Sequence, residues 1–180
     1  FDVRKHLVEY DDVANAHRDV IYADRHRALS EADLKHNIKD MIHNEFDAII
    51  GAHTDDRDDE NWSIEAMEAE LATIIPLPAH INLENLENMS PSEMLDAISE
   101  HADMLYEENE EKIGSIDMRA IERILMLRVI DSHWVEHLTS MQNLRQGIGL
   151  QAYGQRDPLV MYKKEAHVQF GDLLGRIQHD

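Results

Sequence analysis

From about Ile116 to Gln146 the chain contains neither proline nor glycine, and its apolar residues recur at three- and four-residue steps. Such a segment folds as one uninterrupted helix, roughly 46 Å long at 1.5 Å per residue. One apolar stripe runs through Ile124, Leu127, Ile130, Trp134, Leu138 and Met141, and a second through Met118, Ile121, Leu125 and Val129. Two stripes imply a helix packed on more than one side. Gly147 is its natural stop. Asp157-Pro158 then opens another helix, with aspartate as N-cap and proline in the first turn. Tyr162, Ala166, Phe170, Leu173, Leu174 and Ile177 supply that helix with an apolar face. Joined by about ten residues, the two helices form an antiparallel hairpin.

The segment that joins them has Tyr153 at its centre, and the stretch from Leu144 through Glu165 is locally basic. Arg145, Arg156, Lys163 and Lys164 are opposed there only by Asp157 and Glu165, in a chain whose formal net charge is −20. Elsewhere the helical signal is just as continuous. Val3, Leu7, Tyr10, Val13, Ala14, His17, Val20 and Ile21 mark one face of a first helix reaching to about Leu29. Ser30 can cap a second, which carries Leu34, Ile38, Met41, Ile42, Ile49 and Ile50 on one side and is closed by Gly51. Trp62 and Ser63 introduce a short helix that ends before Pro76, and the stretch LPAHINLENLENM is expected to be irregular. Ser90-Pro91-Ser92-Glu93 is a strong start signal: serine caps, proline suits the first turn and Glu93 completes a capping box. That helix should run to about Lys112 and stop near Gly114. No alternating strand pattern and no hairpin dipeptide stands out, and aromatics are scarce, so the expected fold class is all-α with a core of aliphatic side chains.

The charge is partitioned. Residues 1–30 are close to neutral, residues 31–114 carry four basic and 23 acidic side chains, and residues 115–180 are balanced. Two near-neutral flanks around an acidic centre suggest that the centre is inserted between two parts of one unit. So acidic a chain is a poor nucleic-acid binder, because phosphate contact rests on Lys and Arg. Without cysteine there is no disulfide framework and no thiolate metal site. No apolar run approaches a membrane span, and no leader pattern is present. A start at Phe1 and an end inside a helical pattern suggest an excised fragment.

Few motifs offer chemistry. HWVEH, residues 133–137, fits the inverted zinc-protease pattern, in which His133 and His137 would share one side of a helix with Glu136 nearby. The pattern is short in a chain with twelve histidines, and a third ligand must come from Glu165 or Asp172. No Glu precedes a His by three residues as a di-iron bundle requires, DDRDDE lacks the glycine and terminal Glu of a calcium loop, and no phosphate-cradling glycine loop occurs. From the residues alone the chain is a helical interaction module with a projecting hairpin.

Two stretches carry a resemblance. FDVRKHLVEYDDVANAHRDVIYADR, residues 1–25, resembles the start of the long scaffold helix of the SecA family, ATP-driven preprotein translocase motors. LRQGIGLQAYGQRDPLVMYKKEA, residues 144–166, resembles that family's two-helix finger, and IDSHWVEHL, residues 130–138, looks like its first helix. The matches are long, gapless and in the family's order, whereas the middle fits by position only. His17 stands where the family usually has Gln, Gln151 where the finger loop usually has Arg, His167 where an aromatic is common, and His133 where Leu is frequent. The zinc-protease match therefore reads as an accident of one substitution.

The resemblance implies a helical scaffold domain with its finger over residues 1–30 and 115–180, and a helical wing domain over 31–114. It implies a finger tip, Tyr153 with Gln151, Gln155 and Arg156, that contacts translocating polypeptide at the mouth of a SecY-type channel. Asn15 and Arg18 are then the candidate contacts to the motor domains. ATP and magnesium belong to the full-length protein and no cofactor to this segment. The implied location is cytoplasmic, peripherally associated with the inner face of the plasma membrane. The alternatives are a stand-alone helical adaptor binding a partner helix and, behind it, a metal-dependent hydrolase.

Overall fold

The computed structural model describes residues 2–30, 34–54, 62–78, 81, 83–151 and 157–180. Its elements are α1 (Asp2–Leu29), α2 (Leu34–Thr54), α3 (Ile64–Ile74), the single turn α4 (Leu83–Leu86), α5 (Pro91–Ile113), α6 (Ser115–Gln151) and α7 (Pro158–His179). No strand occurs among the described residues, so the fold is all-α. None of the described helices is long and apolar enough to cross a membrane. The chain divides into two compact units, Lys35–Arg119 and the two flanks Phe1–Leu34 with Ala120–Asp180.

The inserted unit is built on one core. Phe46, Ile49 and Ile50 of α2, Met67 and Leu71 of α3, and Met94 and Ile98 of α5 are buried together with Ile81 and Leu86. Leu86 belongs to the single turn α4, so the stretch LPAHINLENLENM, expected to be irregular, holds one short helical turn. α5 starts as its sequence dictates, Ser90 Oγ accepting from the Glu93 amide at 3.3 Å while the Glu93 carboxylate accepts from the Ser90 amide at 2.8 Å. It ends on Gly114, whose φ of +94° suits glycine and turns the chain at once into α6. Gly51, by contrast, does not close α2. The helix continues to Thr54, which is buried and donates its hydroxyl to the Ile50 carbonyl at 2.7 Å. A mid-helix glycine costs about 1 kcal/mol, which the burial of Ile49 and Ile50 beside it outweighs.

The two ends of this unit are tied to one residue. Lys35, its first, and Arg119, its last, reach Glu110 at 2.5 and 3.2 Å, and both cations lie over the buried Tyr106 ring, at 5.5 and 5.7 Å. Arg119 also donates to the Tyr106 hydroxyl. Lys35 and Lys39 hydrogen-bond Glu107, pulling its carboxyl down to about 2. Tyr106→Phe deletes only the hydroxyl and leaves an Arg119 donor short of one acceptor. It should cost about 1–2 kcal/mol by urea unfolding, and a neutral result would show that this bond contributes nothing to closing the unit.

In the flanking unit, α1, α6 and α7 share two clusters. Ile21, Ile130, Trp134 and Leu173 form one; Met141, Ile148, Tyr162 and Ala166, with Tyr10 and Val13 against them, form the other. As residue numbers rise along α6 they fall along both α1 and α7, so α6 is antiparallel to each. Asp157 caps α7 by accepting from the Leu159 amide at 2.9 Å. Two expectations need correction. Gly147 lies inside α6, because Ile148 beyond it is buried in the second cluster. The second apolar stripe is only partly packed: Ile121 and Leu125 are exposed, the latter at 53%, while Met118 and Val129 are half-buried, and Ile124 of the first stripe is 66% exposed. Periodicity marks a face as apolar but does not supply a neighbour to cover it. Ser30 ends α1, its hydroxyl donating to the Arg27 carbonyl at 3.0 Å.

Candidate functional site

The seam between α1 and the α6–α7 hairpin is organised in three levels. At the bottom Arg25 pairs with Asp131 at 2.5 Å beside the Trp134 cluster. In the middle the His17 Nδ1 and the His137 Nε2 approach to 3.1 Å, both rings buried. Phe170 of α7 stacks on His17 with ring centres 4.1 Å apart and planes within 5°, while Trp134 stacks on His137 at 5.6 Å. Toward the end of α6 Tyr10 meets the buried Tyr162 edge-on, 4.6 Å between centres at 83°. There Arg145 lies over the Tyr10 ring at 5.6 Å and donates to Asp11 at 3.0 Å, and Lys163 faces Glu9 at 3.9 Å.

Electrostatically, the middle level is the distinctive one. A hydrogen bond between two ring nitrogens needs one proton, so one imidazole donates and the other accepts while both are neutral. Burial pushes the His137 imidazole down to about 4, helped by the His17 ring and then by Arg176. His17 is lowered too, by burial first and by His167 second.

Of the residues singled out from sequence, Tyr153, Gln155 and Arg156 lie outside the described residues, and Gln151 is the final residue of α6. Asn15 and Arg18 are exposed on α1, the Arg18 guanidinium donating to the Asn15 side chain at 2.9 Å. Arg145 and Lys163, part of the basic character read from the hairpin, face carboxylates of α1. The two histidines of HWVEH have separate surroundings. His133 binds Asp180 at 2.7 Å, with Glu136 at 3.8 Å, whereas His137 turns inward to His17. Among the described residues no group of three or more His, Asp or Glu is placed to hold a metal. The His17–His137 pair is not visible in the sequence, although His17 falls on the apolar face of α1. A histidine on such a face signals a buried polar partner, which 120 residues of separation conceal.

Comparison with known proteins is consistent along the chain. The SecA Wing and Scaffold domain matches residues 1–180. The protein translocase subunit SecA of Dehalococcoides mccartyi is 52% identical over 180 residues, covering 100% of this chain and 19% of that protein. Those of a Roseiflexus species and of Chloroflexus aggregans are 43% and 41% identical, over 187 and 180 residues, covering 100% of this chain and 18% of each protein. The chain thus spans about a fifth of the length of the curated relatives it matches.

Proposed function

The chain belongs to the SecA family, of which it is a wing and scaffold portion, and from that premise we propose that it passes ATP-driven motion of a translocase motor to a polypeptide in transit. Unit Lys35–Arg119 is the wing, and the flanking unit is the scaffold with its finger. ATP and magnesium act in the longer protein, and this segment transmits force without nucleotide chemistry of its own. The loop after α6, with Tyr153 at its centre and Gln151, Gln155 and Arg156 around it, contacts preprotein at the cytoplasmic mouth of a SecY-type channel. Asn15 and Arg18, exposed on α1, face the motor domains. The assembly works at the inner face of the plasma membrane, as a peripheral protein.

One observation supports this reading above the others: α1 is bound to the hairpin at three successive levels, so a displacement of α1 carries the hairpin with it. A tyrosine suits the loop because a flat ring with a polar tip grips varied sequences. Tyr153→Ala is expected to slow preprotein transport several-fold in the full-length translocase, assayed with channel-bearing vesicles. In the isolated chain the same change should shift stability by no more than about 0.5 kcal/mol. Tyr153→Met should retain more transport than alanine, since it restores contact area. Unchanged transport in Tyr153→Ala would remove the finger reading, and a loss of several kcal/mol in the isolated chain would make the tyrosine structural.

A further inference from the structure

We propose that Arg145 is a positioning residue: with Asp11, Tyr10 and Tyr162 it forms the joint that sets the stance of the hairpin on α1, and so the transport obtained per ATP. The inference rests on the reading above, deepening it from which segment moves to which side chains hold it in register. Each hairpin helix contributes one cation to a carboxylate of α1, Arg145 to Asp11 and Lys163 to Glu9. Inside them Tyr162 is buried, and Tyr10 stands against it edge-on.

Arg145 has two partners on adjacent residues of α1, the face of the Tyr10 ring and the Asp11 carboxylate. Successive residues on a helix point about 100° apart, so one planar guanidinium spanning both fixes the rotation of α1 as well as its position. A slide of one residue, about 1.5 Å, strains both contacts together. Its contribution to stability is small, because Asp11 is 64% and Arg145 38% exposed and such pairs are screened by water. The apolar clusters hold the unit together, whereas this joint selects one arrangement of it. It also lies where a load on the loop arrives, Arg145 in the last turns of α6 and Tyr162 in the first of α7.

The test uses the full-length translocase and reads polypeptide transported per ATP hydrolysed. Arg145→Ala should lower that ratio about three- to tenfold, with the melting temperature essentially unmoved. Asp11→Asn, at an exposed position, should lower it in the same direction and guards against misfolding of the first variant. Arg145→Lys keeps the charge but not the planar stack, and should fall between. Exchanging the charges, Asp11→Arg with Arg145→Asp, restores the ion pair but not the stack on Tyr10, and should recover part of the loss, which a purely structural role would not restore in the ratio alone. An unchanged ratio in Arg145→Ala and Asp11→Asn, or a double variant no better than either single one, overturns the proposal. Tyr153→Ala run in parallel separates the two ideas. If it lowers transport while the Arg145 and Asp11 variants do not change the ratio, only the joint is wrong. If it transports normally, the finger reading falls and this inference with it.

Discussion

Trp134→Ala is expected to destabilise the flanking unit by about 3–5 kcal/mol, the range for removing a buried Trp or Phe. Trp134 is 7% exposed and packs with Ile21 of α1, Ile130 of its own helix and Leu173 of α7. One side chain thus fills the space where three helices meet, and no neighbour is long enough to replace it. Its ring also stacks on His137, so the cavity would open beside a buried polar pair and admit water to it. Guanidinium unfolding followed by fluorescence measures the effect. The only other tryptophan, Trp62, packs in the inserted unit, so a Trp62→Phe background reports on Trp134 alone, with circular dichroism following the alanine variant. Trp134→Phe should recover part of the loss, since a ring still reaches Ile21 and Leu173. A cost below roughly 1 kcal/mol would mean that the three helices do not depend on this residue.

What the sequence revealed and what it hid follow from the range of the interactions concerned. The starts of α5 and α7 were legible because each is decided within three residues, by the Ser90–Glu93 box and by Asp157 reaching the Leu159 amide. Gly114 was legible as an end for the same reason. Gly51 and Gly147 misled, since a glycine weakens a helix by an amount that one buried neighbour can offset: Ile50 in α2 and Ile148 in α6. The Leu125 stripe shows the other limit, where apolar spacing predicts a face and only tertiary structure decides whether it is covered. The seam itself joins residues more than a hundred positions apart, Tyr10 to Tyr162 and His17 to His137. No local rule pairs them. The resemblance did mark the participants, because Glu9, Tyr10 and Asp11 come from one of its two stretches and Arg145, Tyr162 and Lys163 from the other.

Acid should loosen that seam well before it protonates the carboxylates. In the folded chain His137 titrates at about 4 against an ordinary 6.5, and His17 is lowered as well, so folding favours both rings neutral. The unfolded chain then binds more protons than the folded one between those values. The stabilisation is complete above about pH 6.5 and is lost as the pH falls toward 4. For His137 alone the loss between pH 7 and pH 5 comes to roughly 2 kcal/mol. The physical cost is plain: the first added proton buries one imidazolium between Phe170 and Trp134, close to Arg176 and His167 of α7, and the next would put two cations 3.1 Å apart. Among the described residues the lowered carboxyls, Glu93 and Glu107, lose their contribution only below their ordinary 4.5, outside this window. His17→Gln leaves His137 an amide partner and removes the second imidazole. It should retain most of the stability at pH 7 and narrow the difference between pH 7 and pH 5, without abolishing it, since burial of His137 is the larger cause of its shift. Urea unfolding of both proteins at the two pH values decides the matter. Equal stability of the parent chain at pH 7 and pH 5 would show that the paired rings accept a proton without opening the seam.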